Sequence, residues 1–158
     1  CSKATLEQIA DFQTKGYASY KIDPMAVLSG TETVDTVWDF VKAHADEEVL
    51  LYSSDQAENV AEIQKVGKDK IAALLEGLTA AVAERAVANG YTRIIVAGGE
   101  TSSAVAKKLG YHCFEIGESI AGVPIMAPLS NENIRIVLKS GNFGQTNFFA
   151  RALQMTRK

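Results

Sequence analysis

A short run of β-branched residues, Ile-Ile-Val at positions 94–96, constrains the fold more than any other feature of the sequence. It follows an apolar stripe of helical period over residues 68–89 and ends at the pair Gly98-Gly99. Hydroxyl residues then open a second helical pattern at residues 101–109. Continuous β-branched runs are typical of strands covered on both faces in a parallel sheet, and parallel strands need helical crossovers. The run therefore predicts an α/β fold.

The rest of the chain continues this alternation of strand and helix. Apolar periodicity, caps and glycine stops predict helices at residues 2–16, 34–45, 68–89, 101–109 and 147–155, and strands at 17–22, 49–52, 94–96, 112–116, 123–127 and 134–138. Residues 53–68 fit helix or loop. The pattern predicts an α/β layered sandwich, with a mostly parallel or mixed sheet flanked by helices and an antiparallel edge at 117–128. Because the alternation opens with a helix, we expect a preceding strand outside this chain.

Composition and charge narrow the class of protein. The chain has 158 residues, of which 47% are hydrophobic and 22% charged, as expected for one globular domain. A net charge of -3 without a dense Lys/Arg cluster indicates neither a nucleic-acid partner nor an anionic membrane partner. No apolar run approaches the roughly 20 residues of a membrane span, and a cytoplasmic location is expected. Two cysteines and two histidines without metal-site spacing predict no protein-bound metal.

The first candidate site is the passage from the 94–96 strand into the next helix, with Gly98, Gly99, Glu100 and Thr101. Glycines allow the backbone to approach a ligand, and the free N–H groups of a helix N-terminus attract anions. A phosphate site is built in this way. A tight turn with an ordinary Thr or Ser cap fits the residues as well, and neither GxxxxGK[ST] nor GxGxxG is present. Glu100 suits a phosphate site only if it faces a metal, a ribose hydroxyl or a structural partner.

The second candidate site follows the predicted strand at 134–138 and comprises Lys139, Ser140, Gly141 and Asn142. A lysine at the end of a strand could neutralise phosphate charge as a mobile ammonium, and Gly141 could admit the backbone close to a ligand. Phe143 could cover an adenine or fill a hydrophobic gap. A solvated lysine beside a plain turn explains this segment equally well. Loops that follow two parallel strands can face one ligand.

Several segments in order resemble the C-terminal region of the four-carbon acid sugar kinases, the 3-oxo-tetronate and threonate kinases. The similarity lies in VAGGETS (96–102), FEIG (114–117), GVP (122–124), LKSGNFG (138–144) and FF (148–149). Their order and spacing match over about the last 70 residues. At the start, Cys1-Ser2 resembles the end of a Ser-Cys-Ser segment that leads from a strand into a helix.

The resemblance implies that ATP binds at Gly98, Gly99, Glu100, Thr101 and Gly141, together with Mg²⁺. It implies that residues 1–158 are the nucleotide-binding C-terminal domain of a longer kinase, which phosphorylates a small four-carbon sugar acid on a terminal hydroxyl. The sugar-acid site and its Asp-Asp-Phe-Thr-Gly motif belong to an N-terminal domain, and this sequence lacks that motif. The catalytic base is therefore unknown, and the isolated chain is expected to be inactive.

Two other functions fit parts of the sequence. A non-catalytic nucleotide-binding or regulatory module, derived from a truncated kinase, would keep the same glycine loops. A hydrolase could use Cys1 as an amino-terminal nucleophile. Adding a separately made N-terminal domain would distinguish kinase from module, and alkylating Cys1 would test the hydrolase. The sequence fits a monomer and a homo-oligomer equally well.

Overall fold

Helices and strands alternate along the chain as predicted. The computed structural model describes residues 2–53 and 57–157, with the backbone alone for residues 57–66. The elements within these residues are α1 Lys3–Thr14, β1 Ala18–Lys21, α2 Pro24–Ser29, α3 Val34–Ala43, β2 Val49–Tyr52, α4 Ala57–Ala88, β3 Arg93–Ala97, α5 Gly99–Leu109, β4 Phe114–Ile120, β5 Val123–Pro128, β6 Arg135–Lys139 and α6 Phe148–Met155. This is the predicted α/β class. In the part of the chain that is described, no helix has both the length and the apolar character to cross a lipid bilayer.

The strands form two sheets. β1 and β2 pair in parallel, and the other sheet has the order β3-β6-β5-β4. β3 and β6 are parallel, whereas β6, β5 and β4 pair antiparallel. The expected antiparallel edge is thus confirmed. One cavity is lined by Ala18, Val49, Arg93 and Arg135, which lie at the amino ends of β1, β2, β3 and β6. The parallel strands of both sheets therefore run in the same direction.

Both sheets lie in one layer between two layers of helices. In β3, Ile95 packs in the cluster formed with α1 and α6, whereas Val96 packs in the cluster formed with α4 and α5. In β2, Leu50 packs against the first of these clusters, and Leu51 packs against a cluster formed with α3 and α4. Successive side chains of a strand point to opposite faces of the sheet. The prediction that β3 is covered on both faces is confirmed.

The sequence analysis missed α2, because Pro24 was taken only as the end of a strand. The Asp23 side chain caps this helix by accepting a hydrogen bond from the Met25 N–H at 2.9 Å. Proline at the first position of a helix loses no intrahelical bond, since that N–H has no partner in any case. Gly30 ends the helix in a left-handed conformation at φ 81°.

Other boundaries differ in detail from the predictions. α4 covers residues 57–68 of the ambiguous segment 53–68, and residues 54–56 of that segment lie outside the described residues. It kinks at Gly67, whose φ of 118° is not helical, so the predicted helix at 68–89 begins just after the kink. β4 begins two residues later than predicted and continues to Ile120, where Ala121 and Gly122 turn the chain with positive φ.

An ion-pair cluster links the amino ends of β2 and β3. The Glu48 carboxylate, just before β2, accepts hydrogen bonds from Arg93 at 2.9 Å and from Arg157 at 2.8 Å. Burial acts to raise the pKa of Glu48, but the hydrogen bonds from Arg157 and Arg93 and their charges outweigh it and hold the pKa below its usual value. Glu48 therefore stabilises the arrangement of the two sheets only while it is ionised.

We predict that Glu48→Gln lowers the free energy of unfolding by about 2 kcal/mol at pH 7, because it weakens two charge-assisted hydrogen bonds. A carboxyl whose folded-state pKa is depressed stabilises the fold above its unfolded pKa and loses that effect as the pH falls through the folded value. The free energies of unfolding of parent and variant, measured with urea, should therefore converge as the pH falls below 4.5, the usual pKa of this carboxyl group. Glu47→Gln, at an exposed neighbouring position, is the control. If the free energies of unfolding of parent and Glu48→Gln differ by the same amount at every pH, the stabilising role of the ionised Glu48 is contradicted.

Candidate functional site

The two predicted glycine loops lie side by side. β3 and β6 pair in parallel with Ala97 opposite Lys139, and the Gly98 N–H donates to the Lys139 carbonyl at 2.8 Å. The chain therefore leaves both strands at neighbouring points of the carboxyl edge. A Cβ atom placed on Gly99 would lie 3.9 Å from the Cβ of Ser140. The two loops therefore lie next to each other at this edge, and a shared ligand stays a prediction.

The first loop presents an uncapped helix N-terminus. Gly98 precedes α5 with φ 107° and ψ 129°, a backbone conformation that favours glycine. No side chain caps the helix, so the predicted alternative of an ordinary Thr or Ser cap is wrong. The Ser102 N–H bonds to the Gly98 carbonyl at 2.8 Å, whereas the N–H groups of the preceding turn have no intrahelical acceptor. These amides and the helix dipole favour an anion at this edge.

Lys139 differs most from the prediction, which took its side chain as a mobile ammonium or a solvated one. The residue is fully buried, with 0% of its surface exposed. Its Nζ donates to the Gly141 carbonyl at 3.0 Å and to Thr5 Oγ1 at 3.4 Å. Burial lowers the pKa of Lys139 from 10.5. Among the described residues the ammonium forms no ion pair with a carboxylate, so its charge is not neutralised.

Helix α1 forms a third side of the site, and the sequence analysis missed it. Besides the contact of Thr5 with Lys139, the buried Gln8 side chain donates through Nε2 to the carbonyls of Phe143 and Gln145, both at 3.1 Å. These bonds attach the second loop to α1. The signal for this role was a glutamine placed one turn before Phe12 on the buried face of the helix.

The second loop exposes its backbone. Ser140, Gly141 and Asn142 are all exposed, and Gly141 has φ 59° with no atom near the position of a Cβ. A ligand could therefore approach the Gly141 backbone closely. Phe143 is 56% exposed, so the hydrophobic-gap alternative for this ring is wrong.

Glu100 and Thr101 occupy the first turn of α5. The Glu100 side chain is exposed and forms no hydrogen bond or ion pair with another described residue, so no structural partner explains it. Thr101 is half-buried and borders a cavity between β2 and β3. Within the described residues, no three His, Cys, Asp or Glu side chains are placed to hold a metal ion. Cys1, the nucleophile of the hydrolase hypothesis, lies outside the described residues.

Comparison with known proteins places this chain in a family. The family described as the nucleotide-binding C-terminal domain matches residues 1–149. The chain belongs to this family.

Two curated relatives are described as 3-oxo-tetronate kinases. The one from Burkholderia multivorans is 39% identical over 155 residues, which are 97% of this chain and 36% of the relative. The one from Methylobacterium radiotolerans is 40% identical over 159 residues, 98% of this chain and 37% of the relative. This nucleotide-binding domain thus spans little more than a third of these kinases. The family resemblance predicted from the sequence is confirmed.

A solved structure shows the same fold. The Haemophilus influenzae protein described under the family name DUF1537 matches with a TM-score of 0.92 at 32% identity. The match covers 99% of this chain and 39% of that protein. The mixed α/β architecture is therefore shared with a protein more than twice as long.

The turn that ends the second loop provides a test of its packing. A Cβ at Gly144, where φ is 90°, would lie 2.5 Å from Cδ2 of the buried Phe148. At Gly122, with φ 84°, a Cβ would meet no atom within 4 Å. We predict that Gly144→Ala lowers the free energy of unfolding by about 3 kcal/mol, and Gly122→Ala by about 1 kcal/mol from backbone strain alone. Urea unfolding measures both, and equal losses would refute the steric account.

Lys139 is expected to reduce stability. Replacing it with methionine keeps much of the volume and removes a buried, unneutralised charge, so Lys139→Met should leave the free energy of unfolding unchanged or raise it. A lysine with a depressed folded-state pKa destabilises the fold below that pKa, and the penalty disappears as the pH rises toward 10.5. The free energies of unfolding of parent and variant, measured with urea, should therefore converge as the pH rises toward 10.5.

Lys107→Met, at an exposed position of α5, is the control for this measurement. If Lys139→Met lowers the free energy of unfolding by more than about 1 kcal/mol, the two hydrogen bonds of the ammonium outweigh the cost of burying its charge.

Proposed function

We propose that this domain binds the phosphates of ATP between its two glycine loops, as the C-terminal part, residues 1–158, of a kinase for a four-carbon sugar acid. The observation that carries the proposal is the buried ammonium of Lys139, which no carboxylate of the described residues neutralises, at the edge where both loops leave the sheet. A positive charge held in this way is costly unless an anion binds beside it.

The surroundings of Lys139 favour phosphate over a neutral ligand. The first-turn amides of α5 supply N–H donors and the positive end of the helix dipole. Gly141 leaves room for phosphate oxygens to approach the backbone, since no atom lies within 4 Å of the position of a Cβ there, and at Gly98 the Thr101 hydroxyl lies 3.4 Å from that position. Ser140 and Asn142 add exposed polar groups beside Gly141, and Thr101 adds a hydroxyl on the facing loop. We propose that the exposed ring of Phe143 covers the adenine base.

Phosphoryl transfer depends on positioning and on neutralising charge. Lys139, held by Thr5 and by the Gly141 carbonyl, would fix its charge beside the phosphates without reorganising during the reaction. Mg²⁺ bound with ATP would add charge neutralisation at the phosphate oxygens. Such an ion needs few protein carboxylates, and the exposed Glu100, free of any partner among the described residues, fits as one direct or water-mediated ligand.

We infer that the sugar acid and the catalytic base belong to another part of the kinase. The matched residues make up about 36% of the curated 3-oxo-tetronate kinases, and the Asp-Asp-Phe-Thr-Gly motif is not in this sequence. We propose that an N-terminal domain of the same enzyme holds a tetronate or 3-oxo-tetronate with a terminal hydroxyl facing the ATP. Closure of the two domains would exclude water from the transferring group.

Calorimetric titration with Mg·ATP tests nucleotide binding directly. The parent chain should bind with saturation, and Gly98→Asp should weaken binding at least about tenfold, because its carboxylate would repel the phosphates. Gly110→Asp is the matched control. It adds the same charge at a glycine of positive φ, at the opposite end of the same helix.

Both variants must show the circular dichroism of the parent. Equal affinity of Gly98→Asp and Gly110→Asp would refute the phosphate assignment, as would absence of binding by a folded parent. If nucleotide binds but a separately made N-terminal domain restores no turnover, the regulatory-module alternative replaces the kinase.

A further inference from the structure

Two buried side chains hold the second loop, residues 140–147, by its backbone carbonyls. The Lys139 ammonium donates to the Gly141 carbonyl at 3.0 Å. The Gln8 amide donates through Nε2 to the carbonyls of Phe143 and Gln145, both at 3.1 Å. Both donor residues are fully buried, with 0% of their surface exposed. Three alternate carbonyls of the loop therefore point toward the interior of the domain.

The inward carbonyls set the direction of the N–H groups that follow them. In a trans peptide, the C=O of one residue and the N–H of the next point in opposite directions. The N–H groups of Asn142, Gly144 and Thr146 therefore point away from Lys139 and Gln8. These three N–H groups donate no hydrogen bond to any residue that the structure describes. The loop thus presents a row of free backbone donors on the side that faces away from the two buried side chains.

Gln8 is better suited to holding this loop than to stabilising the core. Its Oε1 atom is buried and has no hydrogen-bond partner among the described residues. An unpaired buried acceptor destabilises the fold, and an apolar side chain of similar volume would avoid that cost. An apolar side chain could not hold the loop, however, whose residues 140–143 and 145–147 are exposed. A loop with so few buried contacts depends on the bonds to its carbonyls for a fixed conformation.

We propose that Gln8 is a positioning residue of the nucleotide site, which turns the N–H groups of Asn142 and Gly144 outward to bind phosphate oxygens of ATP. The inference rests on the proposed function, because it names the donors that the second loop contributes to that site. Successive free N–H groups of a loop form anion-binding concavities. The contact of Ser140 with the position of a Cβ on Gly99, at 3.9 Å, brings the start of this loop beside the first turn of α5. Both loops would then donate N–H groups to the same phosphates.

A purely structural role for Gln8 has different consequences. If Gln8 only tied the loop to α1, its removal would lower the free energy of unfolding and would leave the way in which each loop contacts a ligand unchanged. If Gln8 orients the loop, its removal acts on the ligand contacts of the second loop and spares those of α5, whose amides are set by the helix itself. The two roles are therefore distinguished by following the amides of each loop separately.

The experiment is an amide NMR titration of the isotope-labelled chain with Mg·ATP. In the parent, the amide protons of Asn142 and Gly144 should move downfield together with those of residues 99–101, because each would bond to a phosphate oxygen. Gln8→Met keeps much of the side-chain volume and removes the donor. We expect it to abolish the shifts of Asn142 and Gly144, to keep those of residues 99–101, and to weaken binding at least about tenfold. Gln13→Met, at an exposed position of the same helix, is the matched control and should bind within about twofold of the parent.

Three results would overturn the inference. If Mg·ATP shifts the amides of residues 99–101 in the parent but not those of Asn142 and Gly144, the inference fails while the proposed function stands. The same conclusion follows if folded Gln8→Met keeps the shifts of the parent at both loops. If no amide of either loop moves in the folded parent, the proposed function fails and the inference fails with it. Should Gln8→Met not fold, Gln8→Asn, whose amide is one methylene shorter, replaces it with the same expected results, and the parent titration decides by itself if neither variant folds.

Discussion

The hydrogen bond from the Gly98 N–H to the Lys139 carbonyl completes the parallel pairing of β3 with β6, and the candidate site depends on this pairing. Parallel neighbours end at the same edge of a sheet, so two segments about forty residues apart in sequence leave it side by side. The register also fixes the backbone of Lys139 beside Ala97, one residue before Gly98, the N-cap of α5. A shift by one residue would turn the Lys139 side chain to the other face of the sheet.

Stability and binding make opposite demands at Lys139. Burial of an ammonium without a carboxylate partner destabilises the fold, yet it also keeps the charge fixed and poorly screened at the edge where a phosphate would bind. The neighbouring structure offsets the cost locally. Thr5 and the Gly141 carbonyl accept hydrogen bonds from the ammonium, and Gln8 ties the same loop to α1. Helix α1 therefore acts as part of the site, although it contributes no glycine loop.

The sequence predicts those parts of the structure that depend on local patterns. The β-branched run at 94–96 predicts a strand covered on both faces, and both glycine loops follow from strand ends that composition marks clearly. The burial of Lys139 could not be predicted from the sequence, because it depends on contact with α1. This helix lies more than 130 residues away in sequence. The separation into two sheets was missed for a related reason. Periodicity marks a segment as a strand, but it does not show which strand is its neighbour.

The cavity between β2 and β3 and the candidate site share residues. Thr5 borders this cavity and also accepts the hydrogen bond from Lys139, and Thr101 borders it from the first turn of α5. The position of the Lys139 ammonium is set by α1, and the free amides belong to α5. The two sources of positive charge therefore face one ligand only while the strands hold α1 and α5 in place, since rigid strands fix the geometry of a site better than loops do.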